Sequence, residues 1–182
     1  MKNSVAHKNS HIILIGYMGC GKTVVGKLLS KKLNLNWIDL DQVIELKENM
    51  KISKIFKTKG ELGFRKIENK VLTEILRKSN KHVISLGGGT PCYYNNMNLI
   101  TENSKNVFYL KNSVKTLSKR LLNEKKDRPI LSEFKTLNKI EEFVSKHLFE
   151  RMFFYNKASH IIDSEKWGIK KNVYEIIKIL NQ

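Results

Sequence analysis

Short apolar runs alternate with amphipathic stretches along almost the whole chain. His11-Ile12-Ile13-Leu14-Ile15 is a continuous apolar run ending at Gly16, the pattern of a strand buried on both faces. Val25, Leu28, Leu29 and Leu33 then recur at helical spacing, and Trp37-Ile38-Asp39 reads as a second short strand. Short helices are predicted over 44–48 and 53–59. A longer one is predicted over 61–79, with Phe64, Ile67, Val71, Leu72, Ile75 and Leu76 on one face. His82-Val83-Ile84-Ser85-Leu86 forms a third strand, stopped by Gly87-Gly88-Gly89. A fourth strand follows at 106–110, then a helix over about 113–122, a helix over 137–157, a last strand at 160–163 and a closing helix over 169–180. Residues 123–134 are polar, charged and poorly periodic, which predicts a mobile loop.

Strand-helix alternation of this kind predicts an α/β fold, a parallel sheet with helices on both faces. In such sheets ligands bind beyond the carboxyl ends of the strands. The 182 residues suffice for one compact domain, with no repeat, low-complexity segment or linker to divide it. No apolar run approaches the roughly 20 residues of a membrane span. The first ten residues lack the apolar stretch of a secretory signal, so the expected location is cytoplasmic, without a membrane partner. Two cysteines, Cys20 and Cys92, form no CxxC pair, and the five histidines show no ligand spacing. Free thiols and no structural metal are expected.

A net charge of +17 raises the question of nucleic acid. The positive residues are mostly lysine, scattered through every segment, and no aromatic-basic motif accompanies them. A general lysine bias fits better than a dedicated interface, and no specific nucleic-acid partner is expected. Against this background the five arginines, Arg65, Arg77, Arg120, Arg128 and Arg151, are informative. Where lysine serves for generic charge, a retained guanidinium marks positions that use its planar, bidentate fork.

Gly16-Tyr17-Met18-Gly19-Cys20-Gly21-Lys22-Thr23 matches G-x-x-x-x-G-K-[ST], between an apolar strand and an amphipathic helix. Backbone N–H groups of such a loop turn inward around phosphate oxygens, and the following helix points its positive end at the same anion. Lys22 can reach the β- and γ-phosphates, and the Thr23 hydroxyl can hold Mg²⁺. A GTPase would also carry an N-K-x-D motif. Asn69-Lys70-Val71-Leu72 fails it, and Asn138-Lys139-Ile140-Glu141 is a lookalike on a predicted helix.

Asp39-Leu40-Asp41 closes the second strand, where alternate residues face the same way. One carboxylate can order Mg²⁺ and the other can take hydrogen bonds or a proton from an acceptor hydroxyl, although paired acids at a strand end are also common as solvated groups. Gly87-Gly88-Gly89 exposes N–H groups and leaves room for a ligand against the backbone. Arg65 can clamp an anion bidentately, and Arg128-Pro129 sits in the charged loop, from which a guanidinium can swing over phosphates.

Together these segments resemble the shikimate kinase family. The resemblance rests on Gly16 to Thr23, Asp39-Leu40-Asp41, Ile55-Phe56-x-x-x-Gly60-Glu61-x-x-Phe64-Arg65-x-x-Glu68, Ser85-Leu86-Gly87-Gly88-Gly89-Thr90-Pro91, Asp127-Arg128-Pro129-Ile130-Leu131 and Glu150-Arg151-x-x-x-Tyr155. It runs from about residue 11 to 163. The resemblance implies a P-loop nucleoside-monophosphate-kinase-like fold with a five-stranded parallel sheet, a helical substrate-binding segment over about 41–70 and a mobile lid over about 123–134. It implies transfer of the γ-phosphoryl group of ATP to the 3-hydroxyl of shikimate, with Mg²⁺.

By matching position, Gly19, Cys20, Gly21, Lys22, Thr23 and Val24 would hold the nucleotide. Arg120 would flank the adenine, and Arg128 would close over the phosphates. Asp41 would bind and help deprotonate the acceptor, Arg65 and Arg151 would hold its carboxylate, and Gly87, Gly88 and Gly89 would line the ring. Asp39 and Thr23 would organise Mg²⁺. Lys22, Asp41 and Arg128 are then the catalytic set, in a chain expected to act as a monomer. Two positions depart from the family: Phe153 stands where proline is frequent, and Cys20 where serine is common.

Overall fold

Every residue of β1 (Ile12–Ile15) is fully buried. A strand of this kind can lie only in the middle of a sheet covered on both sides. The computed structural model, which describes residues 10–123, 134, 136–165 and 168–182, places it there. Five parallel strands run in the order β2-β3-β1-β4-β5, with β2 at Asn36–Asp39, β3 at His82–Ser85, β4 at Asn106–Lys111 and β5 at His160–Asp163. The expected five-stranded parallel sheet is therefore the observed one.

The seven helices among the described residues are α1 (Lys22–Leu33), α2 (Leu40–Glu48), α3 (Ile52–Leu76), α4 (Asn96–Asn103), α5 (Val114–Asn123), α6 (Leu137–Tyr155) and α7 (Ile169–Leu180). α1 packs on β1, β2, β3 and α7, and α7 also rests on β5. α2 packs on α3, α3 on α4, and α5 on α6. The chain lays β2 and β3 on one side of β1 and then crosses to lay β4 and β5 on the other. The winding therefore reverses beside β1, and the carboxyl end of β1 carries the phosphate loop.

Several elements differ from the sequence reading. The helices expected over 53–59 and 61–79 are both present within α3, meeting at Gly60, whose φ of 67° and ψ of 179° are not helical; the second ends at Leu76 rather than at 79. α4 has too few apolar positions to announce itself; only Asn96, Met97 and Ile100 are buried in it. The largest correction concerns Asp41. The strand ends at Asp39, and Asp41 lies in the first turn of α2, not on the strand. Strand alternation therefore does not pair the two carboxylates. Helix capping does: Asp39 Oδ1 accepts from the backbone N–H groups of Asp41 and Gln42, at 3.1 Å and 3.4 Å. The segment expected as a lid, Arg128 included, falls outside the described residues except at its ends.

Candidate active site

A cavity of about 230 Å³ opens beyond the carboxyl ends of β1, β2 and β3. Its walls come from three connections: the loop before α1 (Gly19, Gly21, Lys22), the β2–α2 junction (Asp39, Asp41) and the glycine run after β3 (Gly87, Gly88). Ser85 joins the first and last of these. Its hydroxyl donates to the Lys22 carbonyl at 3.2 Å and accepts from Trp37 Nε1 at 3.0 Å.

The phosphate loop has the backbone its sequence demands. Gly21, the N-cap of α1, has φ 100°, a left-handed conformation that side chains rarely adopt. No side chain caps α1, and its first turn holds no acid, so its N–H groups face the cavity with the helix dipole behind them. Lys22 Nζ donates to the carbonyls of Gly16 and Tyr17, at 2.8 Å and 2.9 Å. Arg120, from α5, donates to the Gly19 carbonyl at 3.1 Å, which puts it beside the same loop. Val24 is half-exposed and lines the cavity, while Cys20 is buried under the loop.

Thr23 donates to Asp39 Oδ2 at 3.4 Å, so a hydroxyl and a carboxylate oxygen stand together at the cavity edge. Among the described residues no cluster of three or more His, Cys, Asp or Glu side chains forms a cage for a metal. The Thr23–Asp39 oxygen pair suits a hard divalent ion that draws its remaining ligands from water and phosphate, the usual habit of Mg²⁺. Asp41 shares the cavity wall. Burial, then the charges of Asp39 and Glu68, push its carboxyl up to about 6, with Lys22 and Arg65 pulling the other way.

Arg65 is held by several neighbours at once. Nη1 donates to Glu68 Oε2 at 2.8 Å, and Glu68, itself buried, also accepts from the Thr90 hydroxyl at 2.7 Å. The guanidinium lies against Gly89, where an added Cβ would stand 2.5 Å from Nη2. No other residue could occupy that position without moving the arginine. Arg151, from α6, lies 5.3 Å from the Tyr17 ring centre and acts on Tyr155, whose hydroxyl donates to the Gly88 carbonyl at 2.5 Å. The positive fields of Arg65 and Arg151 both fall on Glu61 and on Cys92. Burial outweighs them at Cys92 and raises its thiol to about 11.

The structure thus brings together all of the sequence-predicted site residues that it describes. Sequence reasoning assigned no role to Glu61, Glu68, Tyr93 or Tyr155. Glu61, Glu68 and Tyr155 stood inside the matched segments, and their spacing from Arg65 and Arg151 was the available signal.

A parallel sheet wound to a phosphate loop, with a carboxylic acid on the cavity wall and two arginines beyond it, defines a P-loop phosphotransferase acting on a small acceptor. The family model described as shikimate kinase matches residues 18–181. A shikimate kinase of Flavobacterium johnsoniae is 41% identical over 169 residues, covering 93% of this chain and 98% of the relative. Among solved structures, the shikimate kinase from Bacteroides thetaiotaomicron is similar at a TM-score of 0.87 and 36% identity, covering 95% of this chain and 99% of that one. The shikimate kinase from Acinetobacter baumannii, solved in complex with shikimate, is similar at a TM-score of 0.85 and 28% identity, covering 96% and 94%. The chain belongs to the shikimate kinase family.

Proposed function

We propose that the chain transfers the γ-phosphoryl group of ATP to the 3-hydroxyl of shikimate, giving shikimate 3-phosphate and ADP. Membership of the family gives the reaction. The observation that supports the assignment to this site is that Lys22 and Asp41 line one cavity and that the charges of Lys22 and Arg65 both act on Asp41. Lys22 and the loop N–H groups bind the β- and γ-phosphates, beside Arg120. Thr23 and Asp39 would hold Mg²⁺, which would supply neutralisation of phosphate charge. Asp41 takes the hydroxyl proton, and Arg65 and Arg151 clamp the carboxylate while Gly87, Gly88 and Gly89 leave room for the ring. Residues 1–182 act as one domain, with 41–70 binding the acceptor.

The enzyme is proposed to act as a cytoplasmic monomer with no specific nucleic-acid partner. No helix among the described residues is long and apolar enough to cross a membrane.

Coupled-assay turnover of ATP tests the reading: it is expected to depend on shikimate and not to be restored by gluconate. In the same assay, Arg65→Ala should raise the KM for shikimate about 10- to 100-fold, the value of charge-assisted hydrogen bonds worth about 1.5–3 kcal/mol, with little change in the KM for ATP. Arg65→Lys, which keeps the charge beside Glu68, should lose affinity with less risk to the fold. A rise in the KM for ATP alone would assign Arg65 to the nucleotide instead.

A further inference from the structure

Arg65 meets more than its anchoring carboxylate. The Tyr93 ring centre lies 4.0 Å from its guanidinium carbon, closer than the rings of Phe64 at 5.0 Å and Phe56 at 5.9 Å. A guanidinium at that distance is attracted to the ring quadrupole and loses freedom to tilt. With Gly89 also against it, the plane of the fork is fixed.

Tyr93 acts through a second contact. Its hydroxyl donates to Glu61 Oε1 at 2.6 Å, while the same oxygen accepts only a long 3.4 Å contact from Arg65 Nη2. Nη1 is committed to Glu68, and Nε has no hydrogen-bond partner. Nε is buried, so the donor capacity left for an incoming carboxylate is chiefly at Nη2. Glu61 is the internal carboxylate placed to take it. Its side chain is half-exposed, so only its contacts hold it back.

We propose that Tyr93 is a positioning residue for acceptor binding: its ring sets the plane of Arg65, and its hydroxyl holds Glu61 off the donors that the substrate carboxylate uses. The inference rests on the reading of Arg65 as a carboxylate clamp. Nothing in the matched segments points to Tyr93, which follows the short 3-10 turn Thr90–Cys92.

The test is steady-state kinetics on the full chain. Tyr93→Phe keeps the ring and frees Glu61, and should raise the KM for shikimate about 3- to 10-fold, equivalent to losing a hydrogen bond of about 1 kcal/mol. kcat and the KM for ATP should stay within about twofold. Adding Glu61→Gln to Tyr93→Phe should return the KM for shikimate to near the wild-type value, because the competing charge is gone. Tyr93→Ala should raise it by about tenfold or more and resist that rescue, because the platform is lost as well. A general structural role would move kcat and both KM values together and would not be rescued by Glu61→Gln. An unchanged KM for shikimate in Tyr93→Phe, or a rise that persists in the double variant, overturns the proposal. Arg65→Ala, run alongside, separates the two readings. If it leaves shikimate affinity intact, the clamp itself is wrong; if it lowers affinity while the Tyr93 variants do not, only the Tyr93 proposal falls.

Discussion

Lys22→Ala is expected to lower phosphoryl transfer by a factor of about a thousand or more while leaving the protein folded. The side chain's ammonium is the positive charge at the mouth of the phosphate loop, and its value rises as negative charge moves during transfer. Its ground-state contacts are modest. Two hydrogen bonds to the Gly16 and Tyr17 carbonyls are lost, each worth about 1 kcal/mol net. The loop keeps its shape through the left-handed glycines and through Ser85, which holds the Lys22 carbonyl rather than its side chain. Circular dichroism should therefore stay native-like, with the melting temperature lowered by only several degrees for the roughly 2 kcal/mol lost, while the coupled assay approaches background. Near-wild-type turnover in folded protein would remove Lys22 from the catalytic set.

The contrast between Lys22 and Asp41 shows where the sequence was legible. A phosphate loop is contiguous, and its chemistry follows from local backbone geometry, so eight residues announce it. The strands were legible for a similar reason: β1, β3 and most of β4 are buried on both faces, and β1 and the middle of β4 read as unbroken apolar runs. Edge strand β2, with no fully buried residue, was read by Trp37-Ile38-Asp39 alone, and its end was misjudged. That misjudgement put Asp41 on a strand, whereas Asp39 caps a helix and Asp41 begins it. Capping depends on which residue turns out of the extended conformation, and Asp-x-Asp does not reveal that.

On the acceptor side, Arg65 was read as an anion clamp from the residues alone, but its pairing with Arg151 was legible only through the family resemblance. Arg65 and Arg151 are 86 positions apart, and no local pattern joins them. Their meeting is a product of topology, with α3 and α6 both reaching the turn after β3. The network around Arg65 was hidden for the same reason. Glu68 lies one helical turn away and could have been guessed as a partner, but Tyr93 comes from another element and sits over the guanidinium only in the fold.

Asp41→Asn should nearly abolish turnover and yet make the protein more stable. A carboxylate acting as general base contributes a factor of about 100 to 10,000, which an amide cannot supply because it accepts no proton. The stability effect follows from the environment of the group. Burial and the neighbouring Asp39 and Glu68 charges raise the Asp41 carboxyl from its ordinary 3.8 to about 6. Between those values the folded protein binds a proton that the unfolded chain has released, so stability falls as pH rises through that window. Above about pH 7 the ionised group costs the fold on the order of 2–3 kcal/mol relative to its protonated form. Asparagine resembles the protonated acid and avoids that cost.

Denaturant midpoints at pH 7.5 should therefore be higher for Asp41→Asn than for wild type. The gap should narrow toward pH 4 and close only below about pH 3, where Asp41 is protonated in the folded and the unfolded chain alike. The kinetics should carry the same signature with the opposite consequence. Wild-type kcat/KM is expected to fall below about pH 6 as the base is titrated, whereas the residual activity of Asp41→Asn should lack that limb. Equal stability of the two proteins at pH 7.5, together with an acid limb retained in the variant, would show that Asp41 is neither strained by its burial nor the proton acceptor.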